Sequence, residues 1–140
     1  MNTPKIEGLT TEPSDFCPDE TIARLVKEIV ANGMKVFSRI NHAALAAEMG
    51  MTLRPTEVIV FGNPRGGTPL MQACQTIGID LPLKALVWQD ASGKTWLSYN
   101  EPSWLAKRHN VSGIEEIMAA MLLTLSISAT QATKGDSEGY

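Results

Sequence analysis

The residues best suited to chemistry sit in one short stretch. Val58-Ile-Val-Phe61 runs into Gly62-Asn-Pro-Arg-Gly-Gly67, and Thr68-Pro69 follows. Thr-Pro is a cap-plus-proline helix start, so the stretch reads as strand, glycine-rich loop and helix. A helix N-terminus carries unpaired N–H groups and a partial positive charge, which suit it to an anion. Gly66 and Gly67 would let backbone approach a ligand closely. Arg65 would add a planar, bidentate clamp for carboxylate or phosphate. The spacing of Gly62 and Gly67 mimics a phosphate-binding P-loop. However, Thr68 stands where that motif has lysine, and Pro69 replaces its Mg²⁺-binding Ser/Thr, which excludes an NTPase of that class. The expected ligand contacts are Asn63, Arg65, Gly66, Gly67 and Thr68, joined by Tyr99 and Asn100. The plainer reading is a tight turn in which the glycines serve only the connection and Thr68 satisfies its own helix.

His42 and His109 are the only histidines. His42 falls in the first turn of a helix, where the dipole disfavours its protonated form and leaves a neutral imidazole as a candidate general base. Without a placed partner the plainer reading, a half-buried residue bonded to backbone, is the favoured one. His109 follows Lys107-Arg108 near a helix C-terminus and reads as a solvated, dipole-compensating residue. Neither Cys-x-x-Cys nor His-x-x-x-His occurs, so no metal site and no cofactor are expected. Cys74 is expected in the core and Cys17 as an incidental surface thiol. There is no Gly-x-Ser-x-Gly nucleophile elbow. Asp19-Glu20 and Glu115-Glu116 are adjacent pairs, which point to different sides of a helix and read as first-turn acids. Trp88, Trp96 and Tyr99 gather around a hairpin. They would line a pocket with Asn100 and Lys84, or serve core packing or a dimer surface.

The elements that must hold these residues follow from periodicity. Gly8 to Glu12 is a short strand stopped by Pro13. Pro18-Asp-Glu-Thr opens a helix whose buried stripe is Ile22, Leu25, Val26, Ile29 and Val30, and Asn32-Gly33 closes it. Met34 to Ile40 alternates as a strand. Asn41 caps an Ala-rich helix from His42 to Met49, closed by Gly50. Val58 to Phe61 is apolar on both faces and reads as a central strand. Thr68 to Ile77 is a helix ended by Gly78. Leu83–Gln89 and Thr95–Tyr99 flank Asp90-Ala-Ser-Gly-Lys94 as a hairpin. Asn100-Glu-Pro-Ser starts a short helix ending near His109-Asn110. A last helix, capped by Ser112, carries Ile114, Ile117, Met118, Met121, Leu122 and Leu125 as its stripe. The expected fold class is α+β: two layers, one sheet of about five strands with helices packed on it. A single domain spans residues 1–133, with the last helix over about 112–133. The polar tail 134–140 is expected to be flexible.

The chain has 140 residues, about one domain's worth, with 44% hydrophobic and 19% charged side chains. Those proportions support a packed core. Twelve basic against fifteen acidic residues leave a net charge of -3, which argues against nucleic acid as a partner. Two cysteines cannot build a disulfide framework. Met1–Gly8 has no basic region followed by an apolar one, so no secretory signal is expected. Ile117 to Thr133 is uncharged, yet shorter and more polar than a membrane span requires, so no membrane association is expected. The expected location is cytoplasmic.

From about Asp19 to Asn110 the chain resembles domain-of-unknown-function family 302. The resemblance rests on the Pro18-Asp-Glu-Thr start, Met34-Lys-Val-Phe-Ser-Arg-Ile-Asn-His-Ala-Ala44 and Leu53-Arg-Pro-Thr-Glu57. It continues through Val60-Phe-Gly-Asn-Pro64, Gly67-Thr-Pro-Leu-Met71, Ile79-Asp-Leu-Pro-Leu-Lys-Ala-Leu86 and Trp96-Leu-Ser-Tyr-Asn100. It implies an α+β domain, often a dimer, with no established reaction. Many members carry Asp where this chain has Asn41, so a carboxylate is missing beside His42. The reading that follows is a non-catalytic homodimeric module that binds or senses a small anionic or polar ligand. Two alternatives stay open: an enzyme using His42 as general base and Arg65 as anion clamp, and a purely structural or protein-interaction domain that makes its contacts through the last helix.

Overall fold

A computed structural model describes residues 5–135. Five strands form one antiparallel sheet: β1 (Leu9–Ser14), β2 (Lys35–Asn41), β3 (Thr56–Gly62), β4 (Leu83–Gln89) and β5 (Thr95–Asn100), in the order β1-β5-β4-β3-β2. The helices are α1 (Pro18–Ala31), α2 (His42–Glu48), α3 (Pro64–Ala73), α4 (Pro102–Arg108) and α5 (Glu115–Thr133), with a 3-10 turn over Gln75–Asp80. This is the two-layer α+β fold expected from the sequence.

One sheet face makes the core. Strand side chains alternate, so Ile59 and Phe61, Ala85 and Val87, and Leu97 and Tyr99 all point one way and are buried. α1 lays Ile22, Leu25 and Ile29 on that face with Val26 beside them, whereas Val30, expected in the same stripe, is exposed. α5 adds Leu125, Ala129 and Ala132. The small side chains Ser128, Ala129 and Ala132 let α5 approach α1 closely, and Asn32 Nδ2 donates to Ser128 Oγ across the gap at 3.3 Å. The last helix therefore packs within the chain along much of its length. No helix of the described residues is long and apolar enough to cross a membrane.

Among the described residues, the opposite sheet face carries no helix. By register it presents Ile40, Val58, Val60, Leu86, Trp88 and Trp96, and none of these belongs to either buried core cluster. Trp88 and Trp96 are directly opposed, with ring centroids 6.1 Å apart.

Several boundaries differ from the sequence reading. Pro13 lies inside β1 instead of ending it, because β1 is an edge strand where a missing N–H costs no ladder bond. α3 begins at Pro64, four residues before Thr68, so Gly66, Gly67 and Pro69 are helical. Pro64 at the first helical position forfeits nothing, whereas Pro69, the sixth, lacks the N–H that would have met the Arg65 carbonyl and costs one intrahelical bond. α3 also stops at Ala73, and a 3-10 turn carries the chain on through Gly78. Ile114, not Ser112, occupies the N-cap of α5. Residues 136–140 of the expected flexible tail lie outside the described residues.

Candidate functional site

β3 and β4 run side by side, pairing Phe61 with Leu83, and the chain leaves β3 at Gly62 to enter α3. Beside this junction is a hollow of about 220 Å³. Its walls come from Phe37 of β2, the first turns of α3, Met71, Gly78 and Leu81 around the 3-10 turn, and Met121 of α5. Asn63 and Thr68 are the polar side chains on it. Three glycines line it, and two hold space open. A Cβ on Gly67 would meet Leu81 Cδ1 at 3.7 Å, and one on Gly62 would meet Pro82 Cβ at 3.6 Å. A bulge between Val36 and Ser38 interrupts the register beside Phe37, which stays 45% exposed.

A second, shallower hollow of about 320 Å³ adjoins it and shares Asn63, Leu83 and Met121. Arg65 and Gly66 line this one. The five loop residues singled out in the sequence, Asn63, Arg65, Gly66, Gly67 and Thr68, therefore all face one composite concavity around the start of α3. A larger hollow of about 410 Å³ lies between residues 14–17 and the β4–β5 turn, but its walls are a connecting loop and a hairpin tip.

The expected anion cradle is corrected by the hydrogen bonds. Asn63 caps α3, and its Oδ1 accepts from the Arg65 N–H at 3.0 Å. The N–H groups of Gly66 and Gly67 donate to the Asn63 carbonyl at 2.9 and 3.2 Å. Pro64 has no N–H to offer. The amides that would have received negative charge are thus taken by the chain itself, because the helix starts four residues early. What the site retains is an apolar concavity whose polar lining residues are Asn63 and Thr68, with Arg65 lining the adjoining hollow.

Tyr99, Asn100 and His42 do not join it. Tyr99 is 4% exposed and points into the core, on the opposite sheet face from Trp88 and Trp96, so the three aromatics share no pocket. Asn100 ends β5 opposite Leu9 and lines neither hollow. His42 begins α2 next to Asn41, which pairs with Glu57 near the start of β3, whereas Arg65 follows the end of β3. Roughly 17 Å of strand separates them at about 3.3 Å per residue. The pairing of His42 as base with Arg65 as clamp has no geometric support.

Sequence reasoning missed a different cluster. His109 is not a solvated residue: its side chain is 9% exposed and held on both ring nitrogens. Nε2 lies 2.6 Å from Asp80 Oδ2, and Nδ1 lies 3.0 Å from Thr76 Oγ1. Arg108 Nη1 donates to both Asp80 oxygens at 2.9 and 2.8 Å. Cys74 is half-buried, not core, with Sγ 3.3 Å from Thr76 Oγ1. The cluster pins the 3-10 turn, one wall of the hollow, to the end of α4. The one available signal was Asp80, an acid placed by the turn to face the basic Lys107-Arg108-His109 run. Elsewhere, burial raises the Glu12 carboxyl above its ordinary range, against the lowering pull of Lys134, and among the described residues Glu12 Oε2 has no hydrogen-bond partner. Hydrogen bonds from Ser92 and Trp96 hold the Asp90 carboxyl far below its ordinary range.

A family model for a domain of unknown function, DUF302, matches residues 10–127. The chain belongs to the DUF302 family. A solved DUF302 structure, an uncharacterized conserved protein from Bacillus stearothermophilus, superposes with a TM-score of 0.82, covering 91% of this chain and 99% of that one. At 22% identity it speaks to fold alone. Among characterised sequences, the chain is 45% identical over 129 residues to the fluoride-specific ion channel FluC 1 of Brucella suis biovar 1, covering 92% of this chain and 51% of that protein. It is equally similar to FluC 2 of Brucella melitensis biotype 1, covering 48% of it. The chain spans about half the length of these relatives.

Proposed function

We propose that this DUF302 chain is a non-catalytic binding module for a small amphipathic ligand, and that it acts as a homodimer. The observation that carries the ligand reading is the apolar hollow at the β3–α3 junction, held open by glycines where side chains would otherwise fill it. A concavity of about 220 Å³ suits a molecule of a few carbons. Its apolar walls favour a hydrocarbon body, and Asn63, Thr68 and Arg65 favour a single polar or anionic end. A bare inorganic anion fits less well, since the amides that would solvate it are engaged. The resemblance to fluoride-specific ion channels suggests a setting: an accessory module that works alongside a fluoride channel. Fluoride accordingly belongs in any ligand panel.

The test is a titration of short-chain carboxylates, with fluoride and phosphate beside them, followed by thermal shift and by NMR of the Gly62–Thr68 amides. Saturable binding of a carboxylate is expected in the wild type. It should be weakened in Arg65→Ala and abolished in Gly67→Leu, which fills the hollow. Equal binding by all three proteins, or none to any probe, would remove this reading.

A further inference from the structure

We propose that the hollow between the starts of α1, α2 and β3 binds a primary ammonium group carried on a small hydrocarbon body. This is a second site, at the opposite end of β3 from the Asn63–Thr68 concavity, and it stands independently of that reading. The hollow holds about 310 Å³. Its decisive residue is Glu57. By alternation Glu57 shares the helix-covered face of β3 with Ile59 and Phe61, and it is 8% exposed. A carboxylate in that position is costly to bury unless donors meet it. Arg39 Nε donates to Oε2 at 2.8 Å, from a side chain that stays half in solvent. Oε1 has no hydrogen-bond partner among the described residues, yet it is not one of their sealed polar atoms. It therefore opens to the hollow that Glu57 lines.

The other polar residues on the hollow are Asp19, Asn41 and Thr56. Asp19 is exposed in the first turn of α1. Its charge offsets the positive end of that helix, which would otherwise repel a cation. Thr56 gives its hydroxyl proton to the Arg54 carbonyl at 2.8 Å, so only its lone pairs remain. Asn41 spends Oδ1 on the Ala44 N–H at 2.9 Å and keeps its NH₂ free to donate. Three acceptors, on Glu57, Asp19 and Thr56, thus stand against one donor. A primary ammonium carries three N–H groups and no acceptor, which matches that set. Asp19, Glu57 and Arg39 together leave one negative charge, which a monocation neutralises. An anion would meet two carboxylates. A divalent metal suits the site less well, since among the described residues no three acids, histidines or cysteines gather to hold one. Pro18, Ile22, Ala43 and Val87 wall the rest, so a short hydrocarbon chain would lose its water against them.

Titration of n-butylammonium into the full chain, followed by NMR, tests this, with butanol, butyrate and Mg²⁺ as matched probes. Butylammonium should bind saturably and move the amides of Ala43, Ala44 and Glu57, while those of Gly62–Thr68 stay in place. Butanol, butyrate and Mg²⁺ should leave the first three amides unmoved. Glu57→Gln keeps an acceptor for Arg39 and removes only charge, and it should weaken binding about 10-fold or more. Asp19→Asn should weaken it about 2- to 5-fold, as for an exposed ion pair. Ala43→Leu should abolish it by filling the hollow. No saturable response, an equal response to butanol, a preference for Mg²⁺, or unchanged affinity in both charge variants would overturn the inference. So would binding of the blocked peptide Gly-Gly-Lys-Gly without binding of butylammonium, which would make the occupant a protein side chain. Asp19→Asn decides the matter should Glu57→Gln fail to fold, because Asp19 lies at the surface. Carboxylate binding beside α3 is read on different amides, so either site can fail without the other.

Discussion

Replacing Gly66 or Gly67 with alanine is expected to stabilise the protein, and only the second replacement should disturb ligand binding. Both glycines lie within α3, and neither has the positive φ that would exclude an L side chain. A Cβ on Gly66 meets nothing within 4 Å, and one on Gly67 makes an ordinary 3.7 Å contact with Leu81 Cδ1. Each substitution removes freedom from the unfolded chain without adding a clash, a gain of about 0.5–1 kcal/mol per site. The two sites are adjacent, so their sum of about 1–2 kcal/mol holds only to within the coupling usual for neighbours. For a chain of this length that corresponds to a rise in melting temperature of about 2–8 °C. Urea unfolding gives the cleaner measure: the midpoint should rise with the slope unchanged. The Gly67 methyl enters the hollow beside Leu81, so Gly67→Ala should also lower carboxylate affinity, whereas Gly66→Ala leaves it close to wild type. Destabilisation by both alanines would refute the helical placement of this segment. A stabilised Gly67→Ala with undiminished affinity would refute the hollow as the site.

Other perturbations bear on the rest of the structure. Gly8→Ala should destabilise by about 2 kcal/mol or more, seen in urea unfolding, because overpacking adds to a φ of 78° where the new Cβ would lie 2.3 Å from Trp104 Cγ. Asp80→Ala should cost about 1–3 kcal/mol by leaving the His109 ring nitrogen without its partner, and a double-mutant cycle with His109→Ala should show the two effects to be largely shared. Full additivity in that cycle would mean the contact is incidental. Glu12→Gln should flatten the pH dependence of stability. The folded carboxyl is raised above 4.5, so its contribution is fully present below that value and lost as pH rises through the folded one. The variant should therefore gain on the wild type at neutral pH, by less than about 1 kcal/mol since the group is partly solvated, and lose that margin below pH 4.5.

What the sequence decided was local. The stripe Ile22, Leu25, Ile29 specified α1, Asn41 specified the start of α2 by accepting from the Ala44 N–H at 2.9 Å, and Asp90-Ala-Ser-Gly-Lys94 specified the hairpin between β4 and β5. These signals act between residues a few positions apart, where period and hydrogen-bonding geometry are fixed by the backbone. The same locality placed five site residues on one loop, and a concavity does surround them. It misjudged the helix start at Pro64, because Asn63-Pro64 and Thr68-Pro69 are both competent caps and nothing local ranks them.

Only the tertiary structure could show which groups meet. His109 looked solvated because its partners Thr76 and Asp80 are 33 and 29 residues away. Tyr99 looked available because alternation gives two faces without saying which one the helices cover. Strand order and helix placement made that choice, burying Tyr99 and leaving Trp88 and Trp96 on the open side. Burial depends on what packs from elsewhere in the chain, and no spacing within a strand encodes that.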